Sequence, residues 1–187
     1  MGLGVSACAT CDGFFFKNKN VAVAGGGNTA VEEALFLSNL CKKVFIIHRR
    51  DKFRAEKILQ DRLLKKDNIE ILWNQEVKKV IGDKENRCIS GIEVFNNKNK
   101  TKTEMKIDGF FVAIGHAPAT TLFKTKIEMD DEGYIITSPD STKTNVDGVF
   151  AAGDVTDKIY RQAVTAAGMG CMSAIEAESF LNSKKII

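Results

Sequence analysis

No apolar run in the chain approaches the roughly 20 residues that a membrane-spanning helix needs. Met1-Gly2-Leu3-Gly4-Val5 has neither the basic start nor the long apolar stretch of a signal peptide. These absences predict a protein without membrane contact. Neither sign of charge dominates: 27 basic against 24 acidic side chains leave a formal net charge of +3. With no aromatic-basic stripe either, nucleic-acid binding is not expected. Histidine is scarce, and both copies, His48 and His116, stand far from each other and from Cys41, Cys88 and Cys171. The second ligand pair that a zinc site needs is therefore missing, and no metal is expected. Five cysteines, an odd number at irregular spacing, do not build a secreted disulfide framework. They fit a reducing cytoplasm.

What the chain does have is enough apolar material, 44% of 187 residues, to bury the core of one to two domains. Near its start stands Cys8-Ala9-Thr10-Cys11-Asp12. Two thiols at this spacing can close a disulfide where the chain turns into a helix, and helix-terminal N–H groups lower a thiol's pKa towards neutrality. The same spacing is also half of a zinc site, so the motif by itself leaves both chemistries open.

Val21-Ala22-Val23-Ala24 is a short apolar run suited to a buried parallel strand, and it ends in Gly25-Gly26-Gly27-Asn28-Thr29-Ala30. This G-x-G-x-x-A loop is followed by apolar residues at helical spacing: Ala30, Val31, Ala34, Leu35 and Leu40. A glycine-rich turn without a ligand is the plain alternative. Placed between a strand and a helix, however, such a loop lets the backbone approach a pyrophosphate whose charge the helix start stabilises. A second strand, Val44-Phe45-Ile46-Ile47, leads into His48-Arg49-Arg50. About 20 residues past the loop an NAD site carries Asp or Glu on the ribose 2′-hydroxyl. Here Arg49 stands 22 residues after Gly27 (49 − 27), with Arg50 beside it and Arg54 nearby. Guanidinium forks suit a 2′-phosphate, so the pattern predicts NADPH rather than NADH. A solvated basic loop is the competing reading. Asp51 would be an acidic residue displaced by two positions, flanked by three arginines.

Ala55, Ile58, Leu59 and Leu63 trace one face of a second helix. Strand character resumes at Ile69–Trp73, and from Glu76 to Ile107 short alternating segments predict an inserted antiparallel β-meander, with Cys88 and Trp73 as packing residues. Phe110-Phe111-Val112-Ala113-Ile114 reads as a buried strand returning to another sheet. Tyr134–Thr137 is strand-like, and Val149-Phe150-Ala151-Ala152 predicts a further strand ending in Gly153-Asp154. Asp154 could simply cap that turn. After Arg161-Gln162-Ala163 a helix is expected to about Leu181, with Ala167, Met172, Ile175 and Phe180 turned inward.

Taken together, these pieces resemble the low-molecular-weight, bacterial-type thioredoxin reductases. The resemblance rests on Ser6-Ala7-Cys8-Ala9-Thr10-Cys11-Asp12-Gly13, Gly25-Gly26-Gly27-Asn28-Thr29-Ala30-Val31-Glu32-Glu33-Ala34, His48-Arg49-Arg50 and Phe53-Arg54-Ala55-Glu56. Ala113-Ile114-Gly115-His116, Gly153-Asp154 and Arg161-Gln162-Ala163 extend it along the chain. It implies an α/β fold: a Rossmann-like NADPH-binding domain with the inserted meander over residues 9–112, after a leading segment 1–8, and part of a second, FAD-binding Rossmann-like domain over 113–187. It implies that Cys8 and Cys11 form the dithiol that passes electrons from flavin to thioredoxin. Cys11 would face the flavin, Cys8 would attack thioredoxin, and Asp12 would move a proton. Gly25, Gly26, Gly27, Asn28, Thr29, Ala30, His48, Arg49, Arg50 and Arg54 are the implied NADPH residues. Ile114, Gly115, Gly153, Asp154, Arg161, Gln162 and Ala163 complete the implied cofactor set, the last five around FAD. A homodimer is also implied. The family's first G-x-G-x-x-G loop has no counterpart here, so the FAD site is expected to be half present, the strand at Phe110–Ile114 to miss its sheet neighbours, and the chain alone to be inactive. An NADP(H)-binding module without turnover and the flavoprotein of an alkyl hydroperoxide reductase system are the alternatives, Ala9-Thr10 between the cysteines favouring thioredoxin reductase.

Overall fold

The computed structural model describes residues 2–83 and 85–184; Met1, Lys84 and residues 185–187 of the expected segments lie outside them. The chain divides into two compact units, one ending at His116 and the other beginning at Ala117.

The first unit is an α/β layer. In chain order it contains β1 (Val5–Ser6), α1 (Ala9–Asp12), β2 (Asn20–Gly25), α2 (Asn28–Ser38), β3 (Lys43–His48) and α3 (Lys57–Leu63). Then follow β4 (Ile69–Trp73), β5 (Gln75–Asp83), β6 (Cys88–Asn96), β7 (Lys102–Lys106) and β8 (Gly109–Ala113). Five strands form a parallel sheet in the order β1-β8-β2-β3-β4, and β5-β6-β7 form the expected antiparallel meander. The central strands are apolar without alternation because both faces are covered. On one face Val21, Val23, Val44, Ile46 and Phe111 meet Ala30, Val31, Ala34 and Leu37 of α2. On the other, Ala22, Ile47 and Phe110 meet Ile89, Ile92 and Val94 of the meander.

The strand expected to return to another sheet does not do so. β8 pairs with β2 through Val21↔Gly109 to Gly25↔Ala113, and with β1 through Val5↔Phe110 and Ser6↔Phe111. Its neighbours are therefore within this unit, one of them drawn from the leading segment, and Phe110 and Phe111 are buried. Burial of two such side chains contributes about 3–6 kcal/mol. The unit runs on through Ala113 to His116. Ile114, beyond the pairing, is exposed.

The second unit holds one long helix, α4 (Ala163–Ser183), close to the expected span. Its expected strands at Tyr134–Thr137 and Val149–Ala152 are reduced to the isolated bridges Met129↔Ile135 and Lys143↔Phe150. Glu176 ties a loop to α4, accepting from Ser141 Oγ at 2.5 Å and Thr142 N at 2.8 Å. Of the side chains expected to face inward, Met172 and Ile175 are exposed, as is Ala167. Phe180 meets Phe150 edge-on at 6.3 Å.

Candidate active site

The C-terminal ends of β2, β3 and β8 lie side by side, since Ala24 pairs with both Ile47 and Val112. The glycine loop emerges there, the place where open parallel sheets take ligands. Its three glycines have different neighbours. A Cβ on Gly25, where φ is +154°, would lie 2.2 Å from the Ala113 carbonyl oxygen and 2.6 Å from Ala30 Cβ. On Gly26 it would strike the His48 ring at 2.2 Å. On Gly27, which starts α2, it would meet nothing within 4 Å. Two of these glycines thus close the loop onto the sheet, and the third leaves backbone open to a cavity of about 610 Å³. Ala30, fully buried, is the small residue that lets α2 approach β2.

The cavity is lined by Gly25, Gly26, Gly27, Thr29, His48, Arg49 and Arg54, with Ile114 and Gly115 also in its wall. Asn28, Ala30 and Arg50 are outside that lining. Asn28 instead exchanges two hydrogen bonds with Glu56, donating from Nδ2 to Oε1 at 3.1 Å and accepting from Glu56 N at 2.9 Å. Arg54 N donates to Gly26 O at 2.8 Å, so the arginine segment is fastened to the glycine loop by its backbone while the guanidinium stays exposed. His48 is buried beside Phe53 and Trp73, and its Nε2 donates to Lys52 O at 3.0 Å. Burial pushes its pKa down, against the pull of the Lys52 and Gly25 backbone bonds and with help from the charges of Arg50 and Arg54.

Cys8 and Cys11 are joined as a disulfide at the start of α1, with Cα atoms 5.3 Å apart. A four-residue helix has little stability of its own, and acceptors around it hold its first turn. Cys8 N donates to Ser6 Oγ at 3.1 Å, Ala9 N to Glu33 Oε1 at 3.3 Å, and Cys11 N to Cys8 Sγ at 3.2 Å. The Ser6 hydroxyl, buried at the end of β1, donates to Asp12 Oδ2 at 2.6 Å. Asp12, the last residue of α1, is thus fixed by a strand paired to β8. None of Cys8, Cys11 and Asp12 lines the cavity. Cys88, expected to pack, is exposed, as is Cys171, whereas Cys41 is buried.

In the second unit Gly153 opens a single helical turn at φ +76°, with the exposed Asp154 following it. Gln162 caps α4, forming a capping box with Thr165, and Ala163 is the first helical residue. Arg161 sits at φ +49°, a costly conformation held by Asp157, whose carboxylate accepts from the N–H groups of Ile159, Tyr160 and Arg161. Partial burial raises the Asp157 pKa, but these bonds and the Thr165 hydroxyl outweigh it and hold the carboxyl below its ordinary range.

The sequence profile of the pyridine nucleotide-disulphide oxidoreductases matches residues 1–170. The chain belongs to this family. Among its relatives, it is 59% identical to a thioredoxin reductase of Rickettsia conorii over 97% of this chain and 58% of that protein. With a thioredoxin reductase of Coxiella burnetii the identity is 53%, over 98% of this chain and 59% of that protein. The crystal structure of a Streptococcus pyogenes thioredoxin reductase superposes with a TM-score of 0.88 at 40% identity, covering 97% of this chain and 58% of that one. The chain therefore spans somewhat over half the length of the relatives it matches.

Several residues of this pyridine nucleotide-disulphide oxidoreductase site carry no local signal in the sequence. Gln75, Glu76, Lys78 and Lys79 of β5 line the cavity opposite the glycine loop. Lys78 pairs with Glu76 at 2.6 Å, and that bond holds the Glu76 carboxyl below its usual range. Asn97 reaches back from the meander to donate to Arg49 O at 2.6 Å. Ser6, Glu33 and Glu56, by contrast, fall inside motifs that the sequence made conspicuous.

Proposed function

We propose that the chain carries the nucleotide-binding and dithiol parts of an NADPH-dependent, FAD-containing thioredoxin–disulfide reductase. The observation that carries this reading is the Cys8–Cys11 disulfide built into the same unit as the glycine-loop cavity. Gly27's open face fits a pyrophosphate, and Arg49 and Arg54 at the rim fit a 2′-phosphate. Arg50, exposed beside them, would add charge. Gly153, Asp154, Arg161, Gln162 and Ala163 would hold FAD. The turn at Gly153 approaches α4 closely, a Cβ there lying 3.4 Å from Ala166 Cβ, and leaves the Asp154 carboxylate free for a hydroxyl. Flavin, when bound, supplies the exchange between a hydride and a thiol pair that neither partner achieves alone.

The chain's own part is the dithiol step. The Cys8 thiolate attacks one sulfur of the thioredoxin disulfide, the S–S bond there breaks, and a mixed disulfide forms. Cys11 then attacks Cys8 Sγ, restoring the Cys8–Cys11 bond and releasing dithiol thioredoxin. Two electrons pass to thioredoxin. Asp12, held by Ser6, takes the proton shed by Cys11 and returns it to the departing thioredoxin thiolate. Solvent supplies the second proton, in exchange for the one lost when Cys8 became a thiolate. The test needs only these residues. The reduced chain should convert oxidised thioredoxin to its dithiol form, and Cys11→Ser should trap a covalent adduct through Cys8. No transfer from the reduced chain would overturn the assignment.

A further inference from the structure

Glu33 has no part in the dithiol step above, yet its position beneath α1 is unusual. It stands on α2 among Ala30, Val31, Ala34 and Leu37, which face the core, and its Oε1 accepts the Ala9 N–H, one residue from Cys8. Its second oxygen, Oε2, is buried and is the one such side-chain oxygen or nitrogen among the described residues without a hydrogen-bond partner. Among the described residues it makes no ion pair: every ion pair of the acidic groups involves Glu70, Asp61, Glu76, Glu93, Asp130, Glu132 or Asp147. A carboxylate half-satisfied in apolar surroundings acts strongly on its neighbours, because little solvent screens it. Burial pushes its pKa up, and the Ala9 bond opposes this. The group kept in this costly place accepts from the backbone that carries the sulfurs.

We propose that Glu33 is a positioning residue that sets the redox balance of the Cys8–Cys11 pair. This rests on the reading that the pair cycles between disulfide and dithiol. Two effects act in the same direction. The carboxylate holds the Ala9 N–H, a first-turn donor next to Cys8, while Cys11 N donates to Cys8 Sγ. Its negative charge also opposes a second negative charge, the Cys8 thiolate, which exists only after reduction. Both effects disfavour the reduced form, so Glu33 makes the pair a stronger reductant. Two electrons and two protons convert the disulfide to the dithiol, and dithiothreitol supplies them in the test.

The experiment equilibrates the chain at pH 8 with dithiothreitol buffers and counts free Cys8 and Cys11 by alkylation and mass spectrometry. Glu33→Gln keeps an acceptor for Ala9 N–H and removes the charge; Glu33→Ala removes both. The equilibrium constant for reduction should rise several-fold in Glu33→Gln and about tenfold in Glu33→Ala, the latter equivalent to about 30 mV. The pH at which Cys8 becomes half-reactive in the reduced chain should fall in the same order. Glu32→Gln, an equal charge change on the exposed neighbouring residue, should leave both readouts in place. Glu33→Gln superimposing on the unmodified chain, or matching Glu32→Gln, would overturn the proposal even where Glu33→Ala fails to fold. A pair that does not cycle in the unmodified chain would sink the functional reading as well, so the two failures are told apart.

Discussion

The glycine loop allows a sharp separation of structural from functional residues, because neighbouring positions in it meet such different surroundings. Gly25→Ala would place a methyl group 2.2 Å from a backbone oxygen, Ala113 O, and 2.6 Å from Ala30 Cβ. Neither obstacle is the tip of a flexible chain, so β8 or α2 must move. Overpacking of this kind costs about 1–3 kcal/mol, and the backbone angle of +154° adds strain of about 1 kcal/mol. The expected loss is therefore about 2–4 kcal/mol. Gly27→Ala meets open space at a φ of −94° that any residue adopts. Its cost to the fold is about 1 kcal/mol or less, from a poorer helix start. The new methyl group would however stand where a pyrophosphate must approach, so NADPH affinity should drop at least tenfold, about 1.4 kcal/mol. Urea unfolding read by Trp73, the single tryptophan, reports on this unit, and that ring packs 4.5 Å from Phe53 at the site. Nucleotide titration by calorimetry gives the other axis. Equal destabilisation by both substitutions, or unchanged NADPH affinity in Gly27→Ala, would refute the division of roles.

Arg49 and Arg54, the guanidinium groups at the cavity rim, should carry the preference for NADPH over NADH. Replacing both with Ala should erase most of it, at roughly 1.5–3 kcal/mol per charge-assisted bond, and calorimetry showing an unchanged NADPH/NADH ratio would contradict the assignment. The free thiols should sort by exposure. Burial, and secondarily the charge of Asp108, pushes Cys41 up to about 11, so at pH 8 on the order of one molecule in a thousand carries its thiolate. Iodoacetamide at that pH should modify exposed Cys88 and Cys171 and spare Cys41 in the folded chain, as read by peptide mass spectrometry; early labelling of Cys41 would show that its burial is not maintained.

The central strands of the sheet and its helix were legible because those strands announce themselves over four or five consecutive residues. Val21–Ala24 and Val44–Ile47 are apolar throughout, as strands covered on both faces must be, and both form as expected. The meander was legible for the opposite reason, its alternation of apolar and polar residues. Pairing partners were not legible. Phe110–Ala113 has the same apolar run whether it joins this sheet or another; it pairs with β2 over five residues, and its other neighbour, β1, is a two-residue strand too short to leave a pattern. Val149–Ala152 is equally strand-like and makes a single bridge. Helical spacing likewise marked Met172 and Ile175 on α4 as a stripe without saying what would cover it, and no described residue buries them.

In the site, the same distinction separates residues that work through local backbone from those that work through tertiary contact. The functions expected of Gly25, Gly27 and Ala30 follow from one turn between a strand and a helix, so their spacing carries the information. Lys78 and Lys79 reach the same cavity from a strand about fifty residues later, and nothing near them in the chain distinguishes them from solvated lysines. Glu33 is the strongest case. Within Val31-Glu32-Glu33-Ala34 two adjacent glutamates look alike, yet on a helix successive side chains point about 100° apart. Glu32 thereby falls in solvent while Glu33 turns under α1, and only the docking of that short helix gives the second carboxylate its buried oxygen and its bond to Ala9. A charge pattern that reads as surface can thus hold a buried ionisable group whenever the element above it is too short to leave its own periodicity.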